Sequence, residues 1–114
     1  MAVISGTTIT MTRGDTERIK IDIYNQADGT MYTPDPRDSL RFAVKKNYED
    51  DEVLVFIDIP VDTMILTIRP EDTKFLDYGA SKGRYKYDVQ LTTADGDIHT
   101  VIPRSDLIIL EEVD

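Results

Sequence analysis

The side chains able to do chemistry are few. His99 is the only histidine, and the chain has no cysteine. Those two facts exclude a multi-histidine metal site, a His–His dyad, disulfides, thiolate ligands and thiol nucleophiles. A lone histidine acts as a general base only with a partner in hydrogen-bond reach inside a pocket. Ile98 and Thr100 are expected to point inward on a strand, so His99 is expected to face solvent, and nothing nominates a nucleophile for it. No catalytic residue is assigned.

Other groups invite a functional reading and then yield to a plainer one. Asp50-Asp51-Glu52 and Glu111-Glu112-Val113-Asp114 are acidic runs, and oxygen ligands of this kind suit Ca²⁺. Neither run has the alternating spacing that aims several carboxylates at one ion, and Asp95-Gly96-Asp97 is explained by a hairpin. The carboxylates are therefore read as solvated surface, with no metal and no cofactor. Arg13-Gly14-Asp15 matches a tripeptide that some adhesion proteins present to integrins. Three residues recur by chance, and between two strands Gly14 serves a tight reversal, so the turn is preferred. Six tyrosines suggest an aromatic binding surface. Tyr85 and Tyr87 share the parity of Val89 and Leu91, which places them in the core with their hydroxyls bonded to backbone. Tyr24, Tyr32, Tyr48 and Tyr78 fall near loops and stay candidates for an interface.

The elements that must position these groups are strands. Ile19, Ile21 and Ile23 alternate with Arg18, Lys20 and Asp22, the pattern of a strand with one face buried and one wet. Residues 7–12 repeat it with Ile9 and Met11 inward, and Leu40, Phe42 and Val44 repeat it again. Residues 53–59 form a dense apolar strand stopped by Pro60, and residues 64–68 set Met64, Leu66 and Ile68 on one side. Pro70, Glu71 and Asp72 suit a helix start, predicting one short helical turn. Residues 84–92 alternate once more, with Tyr85, Tyr87, Val89 and Leu91 inward. Asp95-Gly96 predicts a type I′ hairpin turn into a return strand at 98–102, which Pro103 is expected to break.

Leu107-Ile108-Ile109-Leu110 is then a separate last strand, apolar on both faces. It reads either as a strand buried mid-sheet or, with the equally apolar residues 53–59 as the other candidate, as a self-association or docking interface rimmed by Glu111, Glu112 and Asp114. With 114 residues, about 40% hydrophobic, the chain suits one all-β domain over residues 1–114. The expectation is an antiparallel β-sandwich of seven to nine strands with one short helical turn. Gly83-x-Tyr85-x-Tyr87 has the spacing of the tyrosine corner of immunoglobulin-like sandwiches.

A net charge of −9 argues against nucleic acid, whose phosphates need clustered Lys and Arg. No apolar run approaches the ~18 residues of a membrane span. The segment Met1-Ala2-Val3-Ile4-Ser5-Gly6 has no basic region or long apolar stretch, so no secretory signal is expected.

Several strings recur together in one order: Thr12-Arg13-Gly14-Asp15-Thr16, Leu40-Arg41-Phe42-Ala43-Val44-Lys45-Lys46, Ile68-Arg69-Pro70-Glu71-Asp72-Thr73 and Tyr85-Lys86-Tyr87-Asp88-Val89-Gln90-Leu91. With Asp95-Gly96-Asp97 they resemble small tail or baseplate proteins of phages and prophages of Gram-positive bacteria. The chain is most similar to the N-terminal domain of the baseplate upper protein family. That resemblance implies an immunoglobulin-like β-sandwich, no enzymatic activity, and docking to other virion proteins or to a second copy. Against that pattern, no helical stalk is expected after the domain. The location implied is the virion if the chain is phage-encoded, and otherwise the bacterial cytoplasm. The alternative is a carbohydrate-binding or cell-surface adhesion module, since sandwiches host many functions.

Overall fold

The computed structural model describes residues 3–5, 7–24, 28–79 and 82–112, with backbone alone for 3–5. The described residues form eight strands and one helical turn. The strands are β1 Val3–Ser5, β2 Thr8–Thr12, β3 Glu17–Lys20, β4 Ser39–Lys45, β5 Val55–Ile59, β6 Ile65–Ile68, β7 Arg84–Thr92 and β8 Ile98–Leu110, and the turn is α1 Pro70–Thr73. Six strands make a curled sheet in the order β1-β2-β8-β7-β4-β5, while β3 and β6 pair in a small second sheet.

Alternation builds the core. Leu40, Phe42 and Val44 of β4, Val55, Ile57 and Ile59 of β5, and Tyr85, Tyr87, Val89 and Leu91 of β7 all turn to one side of the large sheet, each no more than 9% exposed. Ile9, Met11, Leu107 and Ile109 continue that layer, and Ile21, Met64, Leu66, Ile68 and Leu76 close it from the other side. Ile19 and Ile23 share the expected face with Ile21 and pack partly buried against the same cluster. Outward residues are tied in cross-strand ion pairs, as with Arg41 Nη1 and Asp88 Oδ1 at 2.7 Å, or Lys86 and Asp106.

Four expectations are corrected. The sheet is mixed rather than antiparallel throughout, because β2 runs parallel to β8, with Ile9 opposite Leu107 and Met11 opposite Ile109. Strands joined by a tight turn must be antiparallel, but these two are separated by most of the chain, so local patterning does not dictate their sense. Second, Pro103 does not end a strand: β8 runs unbroken through it for 13 residues. The pairing with β7 slips between Tyr87↔Ser105 and Val89↔Ile102, and again before Gln90↔Thr100, so Pro103 sits in a bulge that needs no N–H there. Third, the 93–97 turn is not type I′. Among the described residues only Gly96 has a positive φ in that loop, at 92°. Gly96 N donates to Thr93 O and Thr93 N to Asp97 O, the pattern of a type I turn followed by a glycine bulge. Fourth, Met64 precedes β6 in the left-handed region at φ 58°, its N–H donating to Pro60 O at 2.8 Å to turn the chain from one sheet to the other.

The helical turn appears where Pro70 and the acidic pair predicted it. Asp72 Oδ2 accepts from Arg69 N at 2.8 Å, closing its first turn.

Candidate functional site

The long β7–β8 hairpin reaches past the small sheet, and an open cleft of about 730 Å³ lies between its end and the segment that follows β3. Ile21 N donates to Met64 O at 2.8 Å and holds that segment to the core. The chain then leaves the sheet, bridges Tyr24 to Met31, and returns with Tyr32 N donating to Ile23 O at 2.7 Å. Leu91 floors the cleft, with Ile23 and Val101 beside it, while Tyr24, Ile98 and His99 stand at its lip.

One buried carboxylate fixes the wall. Asp38 is 7% exposed and receives three hydrogen bonds: from Tyr32 Oη at 2.5 Å, from Asp35 N at 3.0 Å and from Ala94 N at 2.9 Å. It thereby ties the Tyr32 ring, its own loop and the hairpin loop into one unit. The Tyr32 hydroxyl holds the Asp38 carboxyl below the usual carboxylate range, helped by the backbone N–H donors. In return, the carboxylate pushes the tyrosine up to about 12. These are the effects of donating to, and losing a proton beside, a fixed negative charge.

The remaining candidates are placed elsewhere. Arg13 is engaged by distant parts of the chain: its Nη2 meets Glu112 Oε1 at 2.8 Å, its Nη1 donates to Leu76 O at 3.3 Å, and its guanidinium stacks 4.4 Å over the Tyr78 ring. Gly14, at φ 83°, donates from its N–H to Thr73 Oγ1 at 2.8 Å, so Arg13-Gly14-Asp15 is the tight reversal expected. Among the described residues, no three Asp, Glu or His side chains gather as a metal site. Asp50 accepts from Asn47 N at 3.1 Å in its loop, and Val113 and Asp114 lie outside the described residues. Tyr85 and Tyr87 are buried; Tyr85 Oη accepts from Asp77 N at 2.8 Å and Tyr87 Oη donates to Thr7 O. Burial pushes both hydroxyls up, that of Tyr87 to about 12.

The aliphatic run does not act as one surface. Leu107 and Ile109 are in the core at 1% and 0% exposure, Ile108 is half-buried, and Leu110 is exposed. Along Leu107–Leu110, β8 has β2 on one side and β7 or the Gly83 backbone on the other, so this run offers no free backbone edge; the ends of the large sheet are β1 and β5. Both Ile98 and Thr100, expected inward, are exposed, because the second register slip sets them opposite Thr92 and Gln90, out of line with the buried Leu91. His99 is exposed as expected, yet it stands opposite the inward Leu91 and so shares that face of the sheet, beside the cleft.

Tyr24, 57% exposed, was an interface candidate from sequence; its exposed apolar neighbours Ile98 at 64% and Met31 at 57% were not. The signal available was the pair of opposed turn sequences, Asp28-Gly29 and Asp95-Gly96, with large apolar residues flanking each. A scan against protein-family models finds no match, and a search of curated proteins finds none. No helix among the described residues is long and apolar enough to cross a membrane.

Proposed function

We propose that this chain is a non-enzymatic interaction module that works by protein–protein docking, as a tail- or baseplate-associated component of a phage or prophage virion. The observation that carries the docking reading is the exposed Tyr24 and Ile98 lining one cleft, with exposed Met31 bridged to Tyr24, since clustered exposed apolar residues mark interaction sites. The virion assignment draws on the resemblance to the baseplate upper protein family.

The immunoglobulin-like part of the fold reading belongs to the same proposal. The neighbours β8-β7-β4-β5 match the G-F-C-C′ side of such a sandwich, and the β3–β6 pair matches its B and E strands. The hydrogen bond from Asp77 N to Tyr85 Oη, eight residues upstream, supports a tyrosine corner.

The test is to induce and purify particles from the encoding strain and look for the chain by mass spectrometry. Co-purification with capsid and tail proteins is expected; its absence from intact particles overturns the virion assignment. A second reading, a carbohydrate-binding module, is favoured by two tyrosines, Asp22 and His99 sharing the cleft. A glycan array separates the two.

A further inference from the structure

We propose that the cleft at the hairpin end is a docking groove for a cationic, apolar-flanked segment of a partner protein. This rests on the docking reading above and names the partner's chemistry.

Shape and lining come first. A volume of about 730 Å³ accommodates two or three side chains, and Leu91, Ile23 and Val101 give it an apolar floor. Ile98 and Tyr24 at the lip, with Met31 bridged to Tyr24, offer apolar contact to residues flanking whatever enters.

Charge then selects the occupant. Among the described residues, Asp22 is the one formally charged residue lining the cleft, and no Lys or Arg lines it. Asp95 and Asp97 precede Ile98 in the hairpin loop, and Asp28 lies in the turn before Met31. Lys20 already faces Asp22 at 3.1 Å, but both partners are roughly half exposed, so an incoming cation competes with a weak pair. A second copy of the chain would bring the same acidic lip and a further net charge of −9, so like charges oppose self-docking. A Lys- or Arg-bearing segment is instead attracted, and its rim charges raise the association rate.

The aromatic rings point the same way. This chain stacks its own cations on tyrosines three times: Arg13 on Tyr78, Lys46 on Tyr85 and Arg104 on Tyr48, at 4.4–4.6 Å. Among the described residues, no such stacking covers Tyr24 or Tyr32, the two tyrosines of the cleft. A guanidinium there gains both the ring face and the Asp22 carboxylate.

The experiment is an NMR titration of the ¹⁵N-labelled chain with a blocked hexapeptide alternating leucine and arginine. Its leucine–glutamate counterpart and oligosaccharides of glucose and N-acetylglucosamine are titrated in parallel. Expected are amide shifts confined to residues 22–24, 31–32 and 98–100 with the arginine peptide alone, weakening at about 0.5 M salt, where the screening length is only a few ångströms. Ile98→Lys, at an exposed site, should weaken binding by at least about tenfold, the equivalent of 1.4 kcal/mol. Asp22→Asn should weaken it less, and Phe56→Lys, on β5, should leave it unchanged. Equal response to both peptides, shifts elsewhere, full binding by Ile98→Lys, or a sugar titrating the cleft in place of the peptide would each overturn the groove. Particles that contain a chain blind to the peptide would overturn the groove while leaving the virion module standing.

Discussion

Replacing Ile109 by alanine should be among the most damaging single changes in this domain, and replacing its neighbour Leu110 should not. Ile109 is 0% exposed on the inner face of β8, opposite Met11 of β2, while Leu110 is 43% exposed on the other face. Ile→Ala removes three carbons, about 2.4 kcal/mol at roughly 0.8 kcal/mol per buried methylene. A cavity penalty adds to this because the flanking strands β2 and β7 restrict collapse, bringing the expected loss to about 3–4 kcal/mol. Leu110→Ala removes the same number of carbons from a half-wet site, so about 1 kcal/mol or less is expected. Urea unfolding of both variants reads the difference as a shift in midpoint at constant slope. On heating, Ile109→Ala should lose on the order of 10 °C or more, given about 4–8 °C per kcal/mol in small domains. Equal losses in the two variants would mean that the facing of β8 is wrong, and with it the division of the aliphatic run into core and surface.

Gly83→Ala should destabilise through main-chain collision alone, because an added Cβ would stand 2.3 Å from Ile109 O and 2.8 Å from Gly79 N and O. A loss at or above the ~1–3 kcal/mol of overpacking is expected by thermal melt, and wild-type stability would refute the packing of this corner. Ile21→Ala should lose roughly 2–5 kcal/mol and Lys20→Ala stay within about 0.5 kcal/mol, with equal melting shifts contradicting the face of that segment. The Tyr32–Asp38 hydrogen bond should be lost at both pH extremes. The Asp38 carboxyl is lowered when folded, so its contribution is complete above the unfolded value near ~4 and is lost as pH falls through the folded one. Tyr32 is raised to about 12, so its contribution is complete below the unfolded ~10 and is lost as pH rises through about 12. Urea midpoints across pH should therefore show a shallower acid limb in Asp38→Asn and a shallower alkaline limb in Tyr32→Phe; unchanged limbs would remove the bond from the account.

What was legible in the sequence was whatever a single strand decides for itself. The inward set Tyr85, Tyr87, Val89 and Leu91 follows from two-residue periodicity, which any half-buried strand must obey. Pro70 with Glu71 and Asp72 marked the helical turn because proline and carboxylates are both favoured at a helix start. The parallel β2–β8 contact was not legible, since it joins residues nearly a hundred positions apart through no local turn. Pro103 misled for a related reason. A proline without an N–H argues against a ladder position, but only the partner strand reveals whether that position needs a donor. The same error hid the candidate site, because the facing of Ile98, His99 and Thr100 was read by extending an alternation that the bulge interrupts.

The bulge is therefore where fold and proposed function meet. Three steps along β7, from Tyr87 to Gln90, face five steps along β8, from Ser105 to Thr100. Such an excess bends the longer strand and increases its twist, so the hairpin end departs from the layer that the rest of β8 occupies. The small sheet cannot follow, because β3 ends at Lys20 and the chain there turns out to Tyr24. Two surfaces that would have packed are held apart, with Leu91 buried at the bottom and Ile98 exposed at the lip. The Asp38 hydrogen bonds to Tyr32 and Ala94 then brace one wall to the other, so the opening is a built feature. Without the second slip Thr100 would stand opposite Leu91 and face inward; with it His99 takes that place, and Ile98 stays exposed at the lip of a groove with an apolar floor and an acidic rim.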